Sequence, residues 1–183
     1  MKKVFVLVLV TVCAASIAAQ EKSGGGNPVS DSVRAALGGR AKNMTAAAEA
    51  MPADKFGFKP TPEQMTFAHL VVHTIESNNT LCAKLANQAQ PAANFSDKDP
   101  KDKLVSELKN SFSYCETALK GLQDSQLGEE VTLFGGRKGP KAQAVLALVG
   151  GWADHYGAAA IYLRLNGVLP PTAQPAKPAE EKK

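Results

Sequence analysis

Four stretches of the chain repeat apolar residues at helical spacing, and each is bounded by proline, glycine or a capping residue. The first spans about Pro28 to Met51. Val29, Val33, Leu37, Met44 and Ala48 recur along one face, Ser30 and Asp31 supply N-cap chemistry, and Pro52 ends it. Gly38-Gly39 weakens its middle. The second is expected to start at Thr61-Pro62-Glu63, a cap, a first-turn proline and an acid, and to run to about Ala89, before Pro91. It carries two stripes: Met65, Ala68, Val72, Ile75 and Cys82, and Phe67, Leu70, Val71, Leu81 and Leu85. An apolar surface this wide implies contact with more than one neighbour.

The third stretch starts near Asp99-Pro100 and runs to about Leu122, with Leu104, Leu108, Phe112, Cys115 and Leu119 in period. The fourth runs from about Pro140 to Asn166. Gly167 follows at the position of a C′ glycine, and Pro170-Pro171 come next. Only Glu130 to Phe134 reads as a short extended piece. Four long helices and no clear strand alternation predict an all-α four-helix bundle over residues 28–171.

The ends of the chain differ in kind. Residues 1–20 combine Lys2-Lys3, an apolar run from Val4 to Val12 and small residues ending at Ala18-Ala19-Gln20, which predicts a secretory signal peptide. The apolar run is shorter than the ~20 residues that cross a bilayer. Cys13 suggests a lipoprotein, but Val12 stands where a small residue is needed. The expected protein is exported, periplasmic or secreted, with no membrane attachment after processing. Residues 21–27 contain three consecutive glycines and read as a flexible linker. The Pro-, Ala-, Lys- and Glu-rich segment 172–183 reads as a disordered tail.

Charge excludes one class of partner. The chain of 183 residues has 21 Lys+Arg against 17 Asp+Glu; without Lys2 and Lys3 the balance is 19 against 17, or +2. With no basic stripe either, nucleic acid is not an expected partner.

Removal of the leader leaves Cys82 and Cys115, an even pair in an oxidising compartment. Each lies at a similar depth in its helix if the second and third helices run parallel. In an antiparallel pair the heights differ by roughly 13 Å, too far for a disulfide. A bridge therefore requires parallel helices and a connection from about Gln88 to Asp99 that climbs back along the bundle. Two separate buried thiols remain the alternative. Asn43, Asn78 and Asn94 begin N-x-[ST] sequons, relevant only in a glycosylating host.

The three histidines are the candidate ligands. His69 and His73 share a face of the second helix with Thr66, Glu76, Ser77 and Thr80. That face is either solvated or turned to a cleft where imidazole holds a divalent metal. His155 shares an inward face with Leu148, Gly151, Trp152, Ala159 and Tyr162, as a packed core histidine or a pocket residue beside Gly151 and Gly157. Haem-attachment, H-E-x-x-H, Glu-x-x-His, G-x-S-x-G and Walker patterns are absent. Gly135-Gly136-Arg137-Lys138-Gly139 reads as a connection, with anion binding left open.

The stretch Met51-Pro52-Ala53-Asp54-Lys55-Phe56-Gly57-Phe58-Lys59-Pro60-Thr61-Pro62-Glu63, with Phe67-Ala68-His69-Leu70-Val71-Val72-His73 after it, resembles DinB-like (YfiT-like) proteins. So does Asp154-His155-Tyr156-Gly157 with Tyr162-Leu163-Arg164-Leu165-Asn166-Gly167-Val168-Leu169-Pro170-Pro171. The resemblance covers about Pro28 to Pro171 and implies an up-down-down-up bundle, with parallel second and third helices. It also implies a metal site of one histidine from the second helix and an H-x-x-x-H pair from the fourth. His73 and His155 match two positions, and Gly151 falls on the third. Asp154 is offset by ~100° around the helix and substitutes poorly, while His69, one turn from His73, is a further candidate. Relatives include thiol-dependent transferases and an isomerase that uses a low-molecular-weight thiol.

The expectation is an exported bundle with a His73–His155 cleft, a degraded metal site that takes a small molecule or weakly holds zinc, nickel or iron. Gly151, Trp152, Tyr156 and Tyr162 are its expected pocket residues. The alternative is a metal-dependent transferase or hydrolase with an atypical ligand set, in which Tyr156 or Tyr162 positions substrate. A purely structural module is a third reading, and a homodimer stays open.

Overall fold

The computed structural model of the protein describes residues 26–175. The leader, most of the linker and residues 176–183 of the tail lie outside that range. Four helices dominate: α1 (Pro28–Ala50), α2 (Phe67–Ala86), α3 (Lys101–Leu119) and α4 (Lys141–Leu165). A hairpin of β1 (Glu130–Thr132) and β2 (Lys138–Pro140) precedes α4. None of the described helices is long and apolar enough to cross a membrane.

Contacts between helices fix their directions. Asn78 meets Ser111 and Cys82 meets Cys115, so α2 and α3 run parallel. His73 meets His155, and Met65 meets Tyr162, so α4 is antiparallel to α2. Arg34 bonds to Leu119 while Lys109 pairs with Glu49, so α1 is antiparallel to α3. The order is up-down-down-up, with each helix packed on two others. The predicted stripes form one core, from Val33, Leu37 and Met44 through Phe67, Ile75 and Leu104 to Leu148 and Leu163. Val29 and Met65 stay at the surface.

Parallel α2 and α3 require a return strap. Asn87, at φ 53°, ends α2 in the left-handed region, and residues 87–100 carry the chain back. Cys82 and Cys115 then face each other with Cα atoms 5.2 Å apart and form a disulfide.

Several expected boundaries differ. α2 begins at Phe67, not at Thr61-Pro62, because Thr66 Oγ1 caps it by accepting from the His69 N–H at 3.0 Å. Residues 51–66 form a packed loop whose Phe56 and Phe58 carbonyls accept from the Ala68 and Phe67 N–H groups. The cap of α1 also comes from elsewhere. Asp124 accepts from the Val29 and Ser30 N–H groups at 2.9 and 2.8 Å, while Ser30 Oγ donates to the same carboxylate and Asp31 pairs with Arg34. Those bonds and the Arg34 charge hold the Asp124 carboxyl below its usual range, against its desolvation.

Residues 171–173, at the expected start of the tail, are structured. Pro171–Ala173 form a single 3-10 turn, pinned where the Thr172 N–H donates to Tyr156 Oη at 3.0 Å. Asn78 is completely buried, so its sequon cannot carry a glycan.

Candidate functional site

Between α2 and α4 lies a pocket of about 290 Å³. His73 and Ser77 reach it from α2, and Gly151, Trp152 and His155 from α4. Helical spacing explains the convergence. Residues 73 and 77 are one turn apart, as are 151 and 155, so each helix offers a pair on one face. The antiparallel crossing then sets His73 beside His155, with ring centroids 4.8 Å apart and planes at 69°.

The two imidazoles live in different surroundings. His73 is exposed at the pocket mouth. His155 is buried, at 8% exposure, and its Nδ1 has no hydrogen-bond partner among the described residues. Burial pushes its imidazole below the usual histidine value, the neighbouring His73 pushes the same way, and Asp154 opposes both. His155 is therefore neutral at pH 7, the form that donates a lone pair to a metal.

Gly151 lies one turn before His155, against its ring. A Cβ there would meet His155 Cε1 at 3.5 Å and Nε2 at 3.9 Å, ordinary contact distances. The other walls are apolar or neutral. Trp152 donates its indole N–H to Asn78 Oδ1 at 2.8 Å, Leu81 and Leu148 form the floor, and Phe134 from the hairpin stands at the edge. No lining residue carries a carboxylate, an amine or a guanidinium.

Some expected members are elsewhere. His69 lies at the surface with its Nδ1 3.2 Å from Asp97 Oδ2, tying α2 to the strap rather than joining the histidine pair. Tyr156 and Tyr162 do not line the pocket. The hydroxyl of Tyr156 bonds to Thr172, and that of Tyr162 donates to the Met65 carbonyl at 2.7 Å while its ring packs on Phe58 and Phe67. They anchor the chain end and the α1–α2 loop. Lys138 of the glycine-rich connection pairs with Glu130 across the hairpin. Among the described residues, no three His, Cys, Asp or Glu side chains come together as metal ligands.

Sequence reasoning missed Asn78 and Phe134. Asn78 interrupts the apolar run between Ile75 and Cys82, and an amide on an otherwise buried face is itself a signal of a polar network. Phe134 carried no such signal, since its place depends on the hairpin.

An up-down-down-up bundle with a histidine pair facing a pocket between α2 and α4 defines the structural class. The chain belongs to the DinB superfamily, whose family model matches residues 36–158. It is similar to a DinB-like protein from Bacillus subtilis, at 17% identity and a TM-score of 0.62, over 83% of this chain and 99% of that one. A DinB-like protein from Bacillus cereus gives 12% identity and a TM-score of 0.65, over 77% and 95% of the two chains. A variant of a mycothiol-dependent maleylpyruvate isomerase gives 13% identity and a TM-score of 0.57, over 70% of this chain and 59% of that one. No curated protein matches in sequence. At these identities the likeness is one of fold.

Proposed function

We propose that the pocket between α2 and α4 binds a small, largely apolar molecule that presents one hydrogen-bonding or metal-binding group to His73 and His155. The observation that carries this reading is the pair of imidazoles at an uncharged pocket, with ring centroids 4.8 Å apart and the Nε2 edge of His155 beside pocket-lining Gly151. Two imidazoles side by side offer a ligand or ion two nitrogen donors.

The same donors fit a divalent metal incompletely. His73 and His155 would hold zinc, nickel or iron, and Gly151 contributes nothing where the family pattern places a third histidine. Two imidazoles bind such an ion weakly, leaving the remaining positions to water or ligand. When bound, the ion would supply Lewis acidity to a ligand atom. The chain's own part is to keep His155 neutral by burial, to shield the ligand with Trp152, Leu81 and Leu148, and to orient Trp152 through Asn78.

Export to the periplasm or medium fits the leader and a disulfide between the two remaining cysteines. A transferase or hydrolase on the same two imidazoles is the second reading, favoured by the shared fold with a mycothiol-dependent isomerase. The first experiment is a titration of the chain from Glu21 with zinc and with nickel, beside the double variant His73→Ala, His155→Ala. Weak uptake by the wild type that disappears in the variant is expected. Equal uptake by both, or none by either under excess metal, overturns the two-imidazole site.

A further inference from the structure

The hairpin before α4 treats its apolar side chains unequally. Leu133 is buried and Val131 packs on the core, whereas Phe134 is left 49% exposed. Its ring stands instead in the wall of the pocket between α2 and α4. Burying a large apolar side chain is favourable, so a ring held at the rim of a cavity gains most when the cavity is filled.

The backbone fixes Phe134 in that place. At the root of the hairpin the Lys141 N–H donates to the Glu129 carbonyl at 2.8 Å, and the Ala142 N–H to that of Leu127 at 2.9 Å. At the tip the Leu133 N–H donates to the Arg137 carbonyl at 2.6 Å. Gly135 and Gly136, at φ 69° and 75°, turn the chain back directly after Phe134 in a conformation that glycine adopts without penalty.

Phe134 meets a pocket rich in rings. His73, Trp152 and His155 line it as well. Trp152 is fixed too, because its N–H bonds to Asn78 and its ring centroid lies 6.3 Å from that of Phe112. Rings already held in place lose little freedom on meeting a ligand. Volume bounds that ligand. An apolar cavity of about 150 Å³ takes one benzene ring, so a pocket of about 290 Å³ takes up to two fused rings. No lining residue is an acid, a lysine or an arginine, which leaves an ionised ligand without a counter-charge. A neutral imidazole has one donor and one acceptor nitrogen, and a hydroxyl can answer either.

Given that this pocket binds a small molecule, as proposed above, we infer that Phe134 and Trp152 are its specificity-determining walls and that its ligand is a neutral aromatic molecule of one or two fused rings with a hydroxyl directed at His73 and His155.

Isothermal titration of the chain from Glu21 with 2-naphthol and with decahydro-2-naphthol tests this. The two probes share skeleton and hydroxyl, and only the first is aromatic. Each ring–ring contact adds roughly two- to tenfold over burial alone, so 2-naphthol should bind about tenfold more tightly. Phe134→Leu keeps apolar bulk without a ring and should reduce that preference severalfold, whereas Phe134→Tyr should retain it. The double variant His73→Ala, His155→Ala should weaken both probes. Circular dichroism checks that the fold survives each substitution. Binding of neither probe by the wild type, or binding indifferent to the loss of both histidines, overturns the pocket as a binding site and this inference with it. Equal or tighter binding of the saturated probe, or a preference unchanged in Phe134→Leu, leaves the pocket standing and overturns the aromatic walls.

Discussion

Trp152 in α4 donates its indole N–H to the side-chain oxygen of Asn78 in α2, and both residues are buried. The amide nitrogen of Asn78 donates in turn to Ser111 Oγ at 3.0 Å, and that hydroxyl donates to the Leu108 carbonyl in α3. One asparagine thus ties three helices together behind the pocket. Removing it strands a buried indole N–H as well as deleting two bonds. Each net hydrogen bond is worth about 1 kcal/mol, and a stranded buried group costs about 1–3 kcal/mol more. Asn78→Ala should therefore lose roughly 2–4 kcal/mol in urea unfolding, with a change in Trp152 emission. Ser111→Ala deletes one bond and strands the buried Asn78 amide N–H, so it should lose roughly 2–4 kcal/mol as well, but it leaves the bond to Trp152 in place and Trp152 emission unchanged. An emission change in Ser111→Ala as large as that in Asn78→Ala would contradict this division of roles.

The helices were legible because burial has a period. Leu104, Leu108, Phe112, Cys115 and Leu119 repeat along α3, and all five are buried. What the pattern could not show was chemistry supplied by distant residues. The first turn of α1 is capped by Asp124, a carboxylate more than ninety positions away. Thr61-Pro62-Glu63 has every local mark of a helix start, yet the Phe56 and Phe58 carbonyls stop the first backbone N–H groups at Phe67 and Ala68. The histidine pair was legible through helical spacing and family resemblance together. The tyrosines misled because Tyr156 and Tyr162 share a helix with His155, but their hydroxyls answer to Thr172 and Met65.

The Cys82–Cys115 bridge closes a loop with a sequence separation of 33, and both cysteines are fully buried. Cross-linking a loop of that size lowers the entropy of the unfolded chain by an amount worth roughly 3–4 kcal/mol. Reductant should leave the folded protein largely intact and lower its urea midpoint once unfolding exposes the bridge. Labelling of denatured, unreduced protein should find no free thiol at either position. Two labelled cysteines would mean that the parallel pair of α2 and α3 is held by packing alone.

The space at Gly151 is large enough to test the incomplete site directly. A Cβ there makes only ordinary contact with the His155 ring. Gly151→His adds a third imidazole one turn from His155 and improves helix propensity. Zinc or nickel affinity should rise by on the order of tenfold to a hundredfold, read by isothermal titration. The new side chain also takes up part of the pocket, so an apolar ligand that wild type accepts should bind less well. Unchanged metal affinity would mean that His73 and His155 do not point at a common centre.

The burial of His155 sets a pH dependence with a definite sign. Desolvation lowers its titration from the ordinary value of 6.5, His73 lowers it further, and Asp154 only partly opposes them. As pH falls through 6.5, the unfolded chain takes up a proton at this position that the folded chain refuses. Stability is therefore independent of this group above 6.5, falls as pH drops below it, and levels off once the folded imidazole itself titrates. His155→Gln removes the titrating group and keeps a polar side chain of similar reach. Urea unfolding between pH 7 and 5.5, above the range where most carboxylates titrate, should show a shallower decline in the variant than in wild type. Parallel declines would mean that the folded chain takes up the His155 proton as readily as the unfolded one, so that burial does not hold this imidazole neutral at the pocket.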